Sequence, residues 1–90
     1  MPNYFVSYDL NGKTPTHAQM DKHLEKAGYG RGRILETVWY VKANANLDAV
    51  YNYVNSILSV NDRLIVIEAH NAITRNLLIS NELLAGAWNK

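Results

Sequence analysis

Alternating apolar and polar positions mark the first element of the chain. In YFVSYDL, residues 4–10, successive side chains of a strand point to opposite faces, so the segment divides into two sets. One set is apolar and the other carries the polar residues: Tyr4, Val6, Tyr8 and Leu10 against Phe5, Ser7 and Asp9. The pattern predicts a strand that buries its first face and ends at an acid.

Two later segments follow a helical period. Asn46 can cap a helix whose apolar residues recur every three or four positions; they are Leu47, Val50, Tyr51, Val54, Ile57 and Leu58. A weaker helix is predicted over residues 15–27, with Thr14 as its cap, Pro15 at its first position and Gly28 as its stop. Its apolar side would consist of Met20, Leu24 and Ala27.

The remaining segments are strands, turns and a tail. Residues 29–33, YGRGR, indicate a loop, and residues 33–43 indicate one long strand or a hairpin. RLIVIEA, residues 63–69, is apolar on nearly both faces, which is typical of a central strand covered on both sides. The tail from Ile73 is predicted to be strand or coil and then a helix capped by Ser80.

Taken together, the elements predict a single α+β domain over residues 1–90. Their order favours a ferredoxin-like sandwich, an antiparallel sheet with two helices on one face. Residues 73–90 would form a C-terminal strand or helix extension. Two helices shield one face only, so either this tail or a second copy of the protein should cover the other face. A twofold homodimer is the prediction we carry forward.

Composition narrows the function classes. The 90 residues include no cysteine, which excludes disulfides, thiolate metal sites and a cysteine nucleophile. Nine Lys and Arg against eight Asp and Glu leave a formal charge of +1, too small for binding nucleic acid by bulk electrostatics. We find no secretory signal and no run of about 20 apolar residues. A cytoplasmic protein without a membrane partner is therefore expected.

Asp9 is the residue with the clearest chemical interpretation. A homodimer that places one such carboxylate from each chain near its axis would offer two ligands to Mg²⁺, which takes one or two carboxylates and completes its shell with water and phosphate. The alternative is structural, because aspartate commonly accepts backbone N–H groups in a turn such as Asn11-Gly12. Residue types alone favour the structural role of Asp9 in the turn over the metal-binding role.

A local basic patch is the second candidate site. Arg31 and Arg33 are separated by glycine and could follow a phosphate backbone, assisted by Lys42 or Lys13 if the fold brings them close. The alternative is a solvated connection that leads into a strand. RNA, DNA and a protein are all candidate partners.

Four segments carry a family resemblance: YFVSYDL, ILETVWYVKAN, LDAVYNYVNSIL and DRLIVIEA, between residues 4 and 69. Together they resemble the small adaptation subunit of CRISPR systems, CRISPR-associated protein two, a superfamily with uncharacterised bacterial relatives and virulence-associated protein D-like proteins. The resemblance implies a ferredoxin-like homodimer in which Asp9 supports metal-dependent cleavage of RNA or DNA. The predicted first helix departs from that family because it contains no arginine.

Two functions are therefore expected from the sequence. The first is a Mg²⁺-dependent endonuclease, a phosphodiesterase acting as a homodimer with Asp9 as metal ligand and catalytic residue. The second is a non-catalytic dimeric scaffold that binds nucleic acid or a protein in a defence or toxin-antitoxin setting.

Overall fold

A computed structural model describes residues 2–26 and 30–89, apart from the side chains of residues 30 and 31. The described elements are β1 (Asn3–Asp9), α1 (His17–Glu25), β2 (Gly30–Leu35), β3 (Val38–Lys42), α2 (Leu47–Asn55), β4 (Arg63–Ala69) and α3 (Asn81–Trp88). The chain is a small α+β protein, as the sequence predicts.

The four strands form one antiparallel sheet in the order β2-β3-β1-β4. β1 is central, with Val6 opposite Trp39 on one side and Val66 on the other. β2 and β3 are the arms of a hairpin that turns at residues 36 and 37, so the hairpin is the correct alternative for this segment. β4 is an edge strand, and the prediction of a central strand over residues 63–69 is wrong.

α1 and α2 cover one side of the sheet. The side chains buried there come from β1, β3 and both helices, and include Tyr4, Val6, Tyr8, Met20, Leu24, Trp39, Val41, Val50 and Val54. The predicted apolar face of β1 is therefore confirmed, and so is the Asn46 cap, whose side chain accepts the N–H of Ala49. Tyr51 does not share this core, because 43% of its surface is exposed.

The C-terminal tail covers much of the opposite side. Residues 70–80 form no helix or strand, and the N–H of Leu78 donates to the carbonyl of Ile34 at 2.9 Å. α3 then begins after Ser80, whose hydroxyl accepts the N–H of Leu83 at 3.1 Å. Leu84 packs with Ile34 and Tyr40 in a second core cluster. Coil followed by a Ser80-capped helix confirms the predicted tail.

The tail does not cover β4. Ile65 and Ile67, on the same side of the sheet as the tail, remain 55% and 47% exposed. A strand with one apolar face in solvent explains the failed prediction for residues 63–69: both faces are apolar, but only the face of Leu64 and Val66 is partly buried within the chain. The sequence predicted that either the tail or a second copy of the protein covers the face opposite the helices. The tail covers the part of that face formed by β1, β3 and β2.

The start of α1 also corrects the sequence interpretation. The cap is Thr16, not Thr14, and the helix begins at His17. The Thr16 hydroxyl accepts the N–H of Gln19 at 3.2 Å, while the Gln19 side chain accepts the N–H of Thr16 at 2.8 Å. This reciprocal pair satisfies two of the N–H groups at the helix start. The described part of the helix ends at Glu25, and the predicted stop at Gly28 lies outside the described residues.

The predicted loop over residues 29–33 is also wrong for its described part, since β2 begins at Gly30. Gly32 lies in the ladder opposite Tyr40. A Cβ at position 32 would lie 3.3 Å from Cγ2 of Ile79. The glycine thus lets the tail approach the sheet closely, a use of glycine within a strand.

Tyr40 makes the stability of the fold depend on pH. Burial raises the pKa of Tyr40 to about 12, against about 10 for tyrosine in an unfolded chain. The folded protein therefore holds this proton after the unfolded chain has lost it, and the free energy of unfolding should fall as pH rises from about 10 to about 12.

Tyr40→Phe should reduce this alkaline loss of stability in urea titrations followed by circular dichroism. The loss should not vanish, because burial also raises the pKa of Tyr4, Tyr8 and Tyr53. Tyr51→Phe, which removes an exposed hydroxyl, is the matched control. An unchanged pH dependence in Tyr40→Phe would contradict the assignment.

Within the described residues, no helix has the length and apolar character needed to cross a membrane.

Candidate functional site

Asp9 lies at the carboxyl end of β1 and is exposed. Its side chain projects from the face of the sheet that α1 and α2 leave open, since Tyr8 points into the helical core. Among the described residues its carboxylate accepts no hydrogen bond that meets ordinary geometry. It is therefore free to bind a ligand.

The structural role considered for Asp9 belongs to Asp62. One oxygen of Asp62 accepts the N–H groups of Asn11 and Gly12 at 2.7 and 3.2 Å. The other accepts the N–H of Ser59 at 2.8 Å. These donors, Ser59 first, hold the pKa of the Asp62 carboxyl below its ordinary value. The alternative in which Asp9 accepts the amides of the Asn11-Gly12 turn is thereby removed.

Arg63 is the nearest cationic neighbour of Asp9 along the ladder. The last residue of β1 and the first residue of β4 are directly opposite each other in this pair, where Cβ atoms stand about 4.5–5.5 Å apart. Together with Ser7, Tyr8, Leu64 and Ile65 they line a groove of about 190 Å³. An anion held here would meet a guanidinium, and a cation would meet a carboxylate.

A single chain offers few metal ligands at this groove. The described residues contain no group of three or more His, Asp or Glu side chains arranged to hold a metal ion. Mg²⁺ needs fewer protein ligands than a zinc site, because water and substrate oxygens complete its octahedral shell. Asp9 fits one position of such a shell, and further protein ligands would have to come from a second copy.

Arg33 is engaged within the fold. Its guanidinium forms an ion pair with Asp21 on α1 and lies 5.8 Å from the centre of the Trp39 ring. The hydrogen bond from Arg33 to Asp21 raises the pKa of the arginine. The pair therefore fastens α1 to β2 and β3, and a phosphate would have to compete with Asp21 for this side chain.

Tyr8 lies beside Arg33 and Trp39. Its hydroxyl, Nε of Arg33 and Nε1 of Trp39 are buried without a hydrogen bond of good geometry. Burial, followed by the charge of Asp21, raises the pKa of Tyr8, although the neighbouring indole and guanidinium oppose this. These groups are close enough to influence one another without being well aligned, which is consistent with a structural cluster under α1.

Lys42 is buried, with 2% of its surface exposed. Its ammonium donates to the carbonyl of Trp88 at 2.6 Å and to Oδ1 of Asn3 at 3.2 Å. Asn3 also donates to Trp88 and accepts from the Tyr40 hydroxyl. The cation thus sits at the C-terminal end of α3, where the helix dipole favours positive charge. In this arrangement it is not available to a phosphate backbone.

Arg31 belongs to β2 and is opposite Val41. Its side chain lies outside the described part of the structure, so its predicted contact with nucleic acid stays a prediction. The structure does not bring the three predicted basic residues into one free patch, because Arg33 and Lys42 have partners inside the fold.

Two residues of the groove region escaped the sequence analysis. Arg63 opens an apolar strand, and only the pairing of β4 with β1 places it beside Asp9. Asp62 follows Asn61 in a segment already interpreted as a turn, but its acceptor role depends on amides about 50 positions away. Local patterns carry no signal for either contact.

Comparison with known proteins adds no relative: no protein-family model, no curated protein and no solved structure matches this chain. The resemblance to the small CRISPR adaptation subunit accordingly stays a prediction.

Proposed function

We propose that this protein is a cytoplasmic homodimer with a ferredoxin-like fold that cleaves RNA or DNA with a divalent cation bound by Asp9. The fold assignment is supported by the strand order β2-β3-β1-β4 and by the alternation of strands and helices through β4. The choice of Asp9 draws on the family resemblance and on its free carboxylate.

One observation carries the proposal: the free acid and the uncovered apolar side chains share a surface. Asp9 is opposite Arg63, and Ser7 is opposite Ile65, so Ile65 is a diagonal neighbour of Asp9 at about 7–8 Å. A second copy seated on Ile65 and Ile67 would bring its own Asp9 to the rim of the same interface. The dimer would then supply the second carboxylate that one chain lacks.

In this arrangement each residue has a defined task. The Asp9 carboxylates would hold Mg²⁺, which when bound activates a water molecule and offsets charge on the phosphate. Arg63 would orient the scissile phosphate through its planar pair of N–H donors. Ser7, half-buried beside Asp9, would line the floor of the groove.

The test is cleavage of labelled single- and double-stranded RNA and DNA in Mg²⁺ or Mn²⁺. Asp9→Asn keeps the shape of the side chain and removes its charge, and should lower the rate at least about 100-fold, in the range for loss of one electrostatic stabiliser. It should also weaken Mn²⁺ binding measured by electron paramagnetic resonance.

Asp48→Asn is the matched control, because Asp48 is an exposed aspartate in the first turn of α2, on the other side of the sheet. It should leave both rate and Mn²⁺ binding unchanged. Equal cleavage by wild type and Asp9→Asn would refute a catalytic role for this carboxylate.

A second candidate function is a dimeric scaffold without catalytic activity, binding nucleic acid or a protein in a defence or toxin-antitoxin setting. The observation in its favour is the engagement of Arg33 with Asp21 and of Lys42 with Trp88, which withdraws two of the three predicted basic residues from contact with nucleic acid. A stable dimer that cleaves none of the four substrates and binds no Mn²⁺ would favour the scaffold.

A further inference from the structure

A second groove lies on the helical side of the protein, away from Asp9. It runs between α1 and the residues that follow α2, and its volume is about 400 Å³, within the range of small-molecule sites. We call it the α1–α2 groove; its lining includes Pro15, Gln19, Lys22, His23, Lys26 and Ile57.

The charges of the α1–α2 groove have one sign. Lys22 and Lys26 are four positions apart, so they occupy successive turns on the same side of α1. Both are exposed, and the described residues that line the groove include no carboxylate. Within the described chain the ion pair on α1 is that of Asp21 with Arg33, on another face of the helix. Two neighbouring ammonium groups that repel each other are a favourable setting for an anion.

The wall of the groove is rigid around His23. Its ring stacks on that of Tyr53 with centroids 4.1 Å apart and planes within 3°. Nε2 of His23 donates to the Tyr53 carbonyl at 2.6 Å, and the Tyr53 hydroxyl donates to the His23 carbonyl at 2.7 Å. These paired bonds join α1 to α2, so this wall would lose little conformational freedom when a ligand binds.

Neutral groups complete the site. Oε1 of Gln19 accepts the N–H of Thr16, which leaves the amide NH₂ of Gln19 as a donor toward a ligand. Pro15 is buried and Ile57 is half-buried, so together they give the groove an apolar floor. A ligand that matches this lining carries a compact negative charge on a partly apolar body.

We propose that the α1–α2 groove binds a small phosphate monoester, with its phosphate between Lys22 and Lys26 and its organic part on Pro15 and Ile57. The charge of such a phosphate at neutral pH, about −1.5 to −2, matches the two ammonium groups. Lysine serves as a point-charge phosphate ligand in many sites. This inference is independent of the proposed nuclease, because α1 and α2 cover the face of the sheet opposite Asp9.

The experiment is a titration of ¹⁵N-labelled full-length protein with adenosine monophosphate, glycerol 3-phosphate, inorganic phosphate and adenosine. Saturable shifts confined to amides of residues 14–26 and 56–58 are expected with both esters. Adenosine, which lacks the phosphate, should bind at least about tenfold more weakly, the equivalent of about 1.4 kcal/mol. Tighter binding of the nucleotide than of glycerol 3-phosphate would identify a nucleotide site, and equal binding a general phosphate-ester site.

Lys22→Gln and Lys26→Gln should each weaken ester binding about tenfold. Arg75→Gln removes the same charge from the exposed tail, distant from the groove in the fold, and should leave binding unchanged. Absence of saturable shifts, shifts centred outside the groove, or unchanged affinity in both lysine variants would overturn the proposal.

Discussion

Replacing Lys42 by alanine is expected to destabilise the protein by about 3 kcal/mol, since each hydrogen bond of a charged group contributes about 1.5–3 kcal/mol and partners left unpaired add to the cost. Lys42 is buried and donates to both Trp88 and Asn3. Its loss leaves the Trp88 carbonyl with one fewer donor at the end of α3. Urea denaturation followed by circular dichroism measures the change.

Lys42→Ala should also destabilise α3 locally. Amides of residues 81–88 should exchange faster with solvent in Lys42→Ala, because the ammonium ties α3 to the sheet. Lys13→Ala, at an exposed position before α1, is the control and should stay within about 0.5 kcal/mol of wild type.

Lys42→Met separates charge from packing. Methionine retains most of the aliphatic stem but no donor, so a variant as stable as wild type would show that burying the ammonium costs as much as its bonds return. That result would contradict the assignment of Lys42 as the anchor of α3.

Ile65→Lys should turn the proposed dimer into a monomer. Ile65 and Ile67 are the exposed apolar pair on β4, and each twofold interface would contain two copies of each. A charge at position 65 enters the interface twice. We therefore expect the dissociation constant of the dimer to rise at least about 100-fold, which corresponds to about 2.7 kcal/mol. Sedimentation velocity across a micromolar concentration series measures the shift.

The control for this variant is Val60→Lys, at a turn position whose side chain is 96% exposed. It should leave the association unchanged. Lysine is well tolerated on edge strands, so the Ile65→Lys monomer should still fold and should unfold in a single cooperative transition. A wild-type protein that remains monomeric at high micromolar concentration would contradict the dimer and, with it, the pair of Asp9 carboxylates.

The helical core was predictable because periodicity reports which face of an element is buried. The alternation of Tyr4, Val6 and Tyr8 against Phe5 and Ser7 is reproduced in the burial of β1. Val50 and Val54 likewise lie in the core at the predicted positions of α2.

The sequence contains the signal for the start of α1 at Thr16, but the prediction followed a competing signal at Thr14. Thr14-Pro15 matches a capped helix with proline at its first position, whereas Thr16 and Gln19 match a capping box three residues apart. The capping box prevails because it satisfies two backbone N–H groups, while Thr14 and Pro15 precede the helix.

The position of β4 and the roles of the charged residues could not be predicted in the same way. A strand apolar on both faces indicates burial but not whether the cover is part of the chain, and Ile65 shows that here it is not. The assignments of Arg33 and Lys42 to a basic patch failed to anticipate Asp21 and Trp88. Such partners depend on tertiary pairing across many positions of the chain.

The bond between Asn3 and Trp88 has a consequence for engineering. Nδ2 of Asn3 donates to the Trp88 carbonyl at 3.2 Å, so the outermost described elements, β1 and α3, have their terminal residues in contact. A short glycine-rich bridge between them would close the backbone with little strain, and new ends could be opened at the β2–β3 turn. The bridge would lie at one corner of the molecule, about 20 Å along β1 from Asp9.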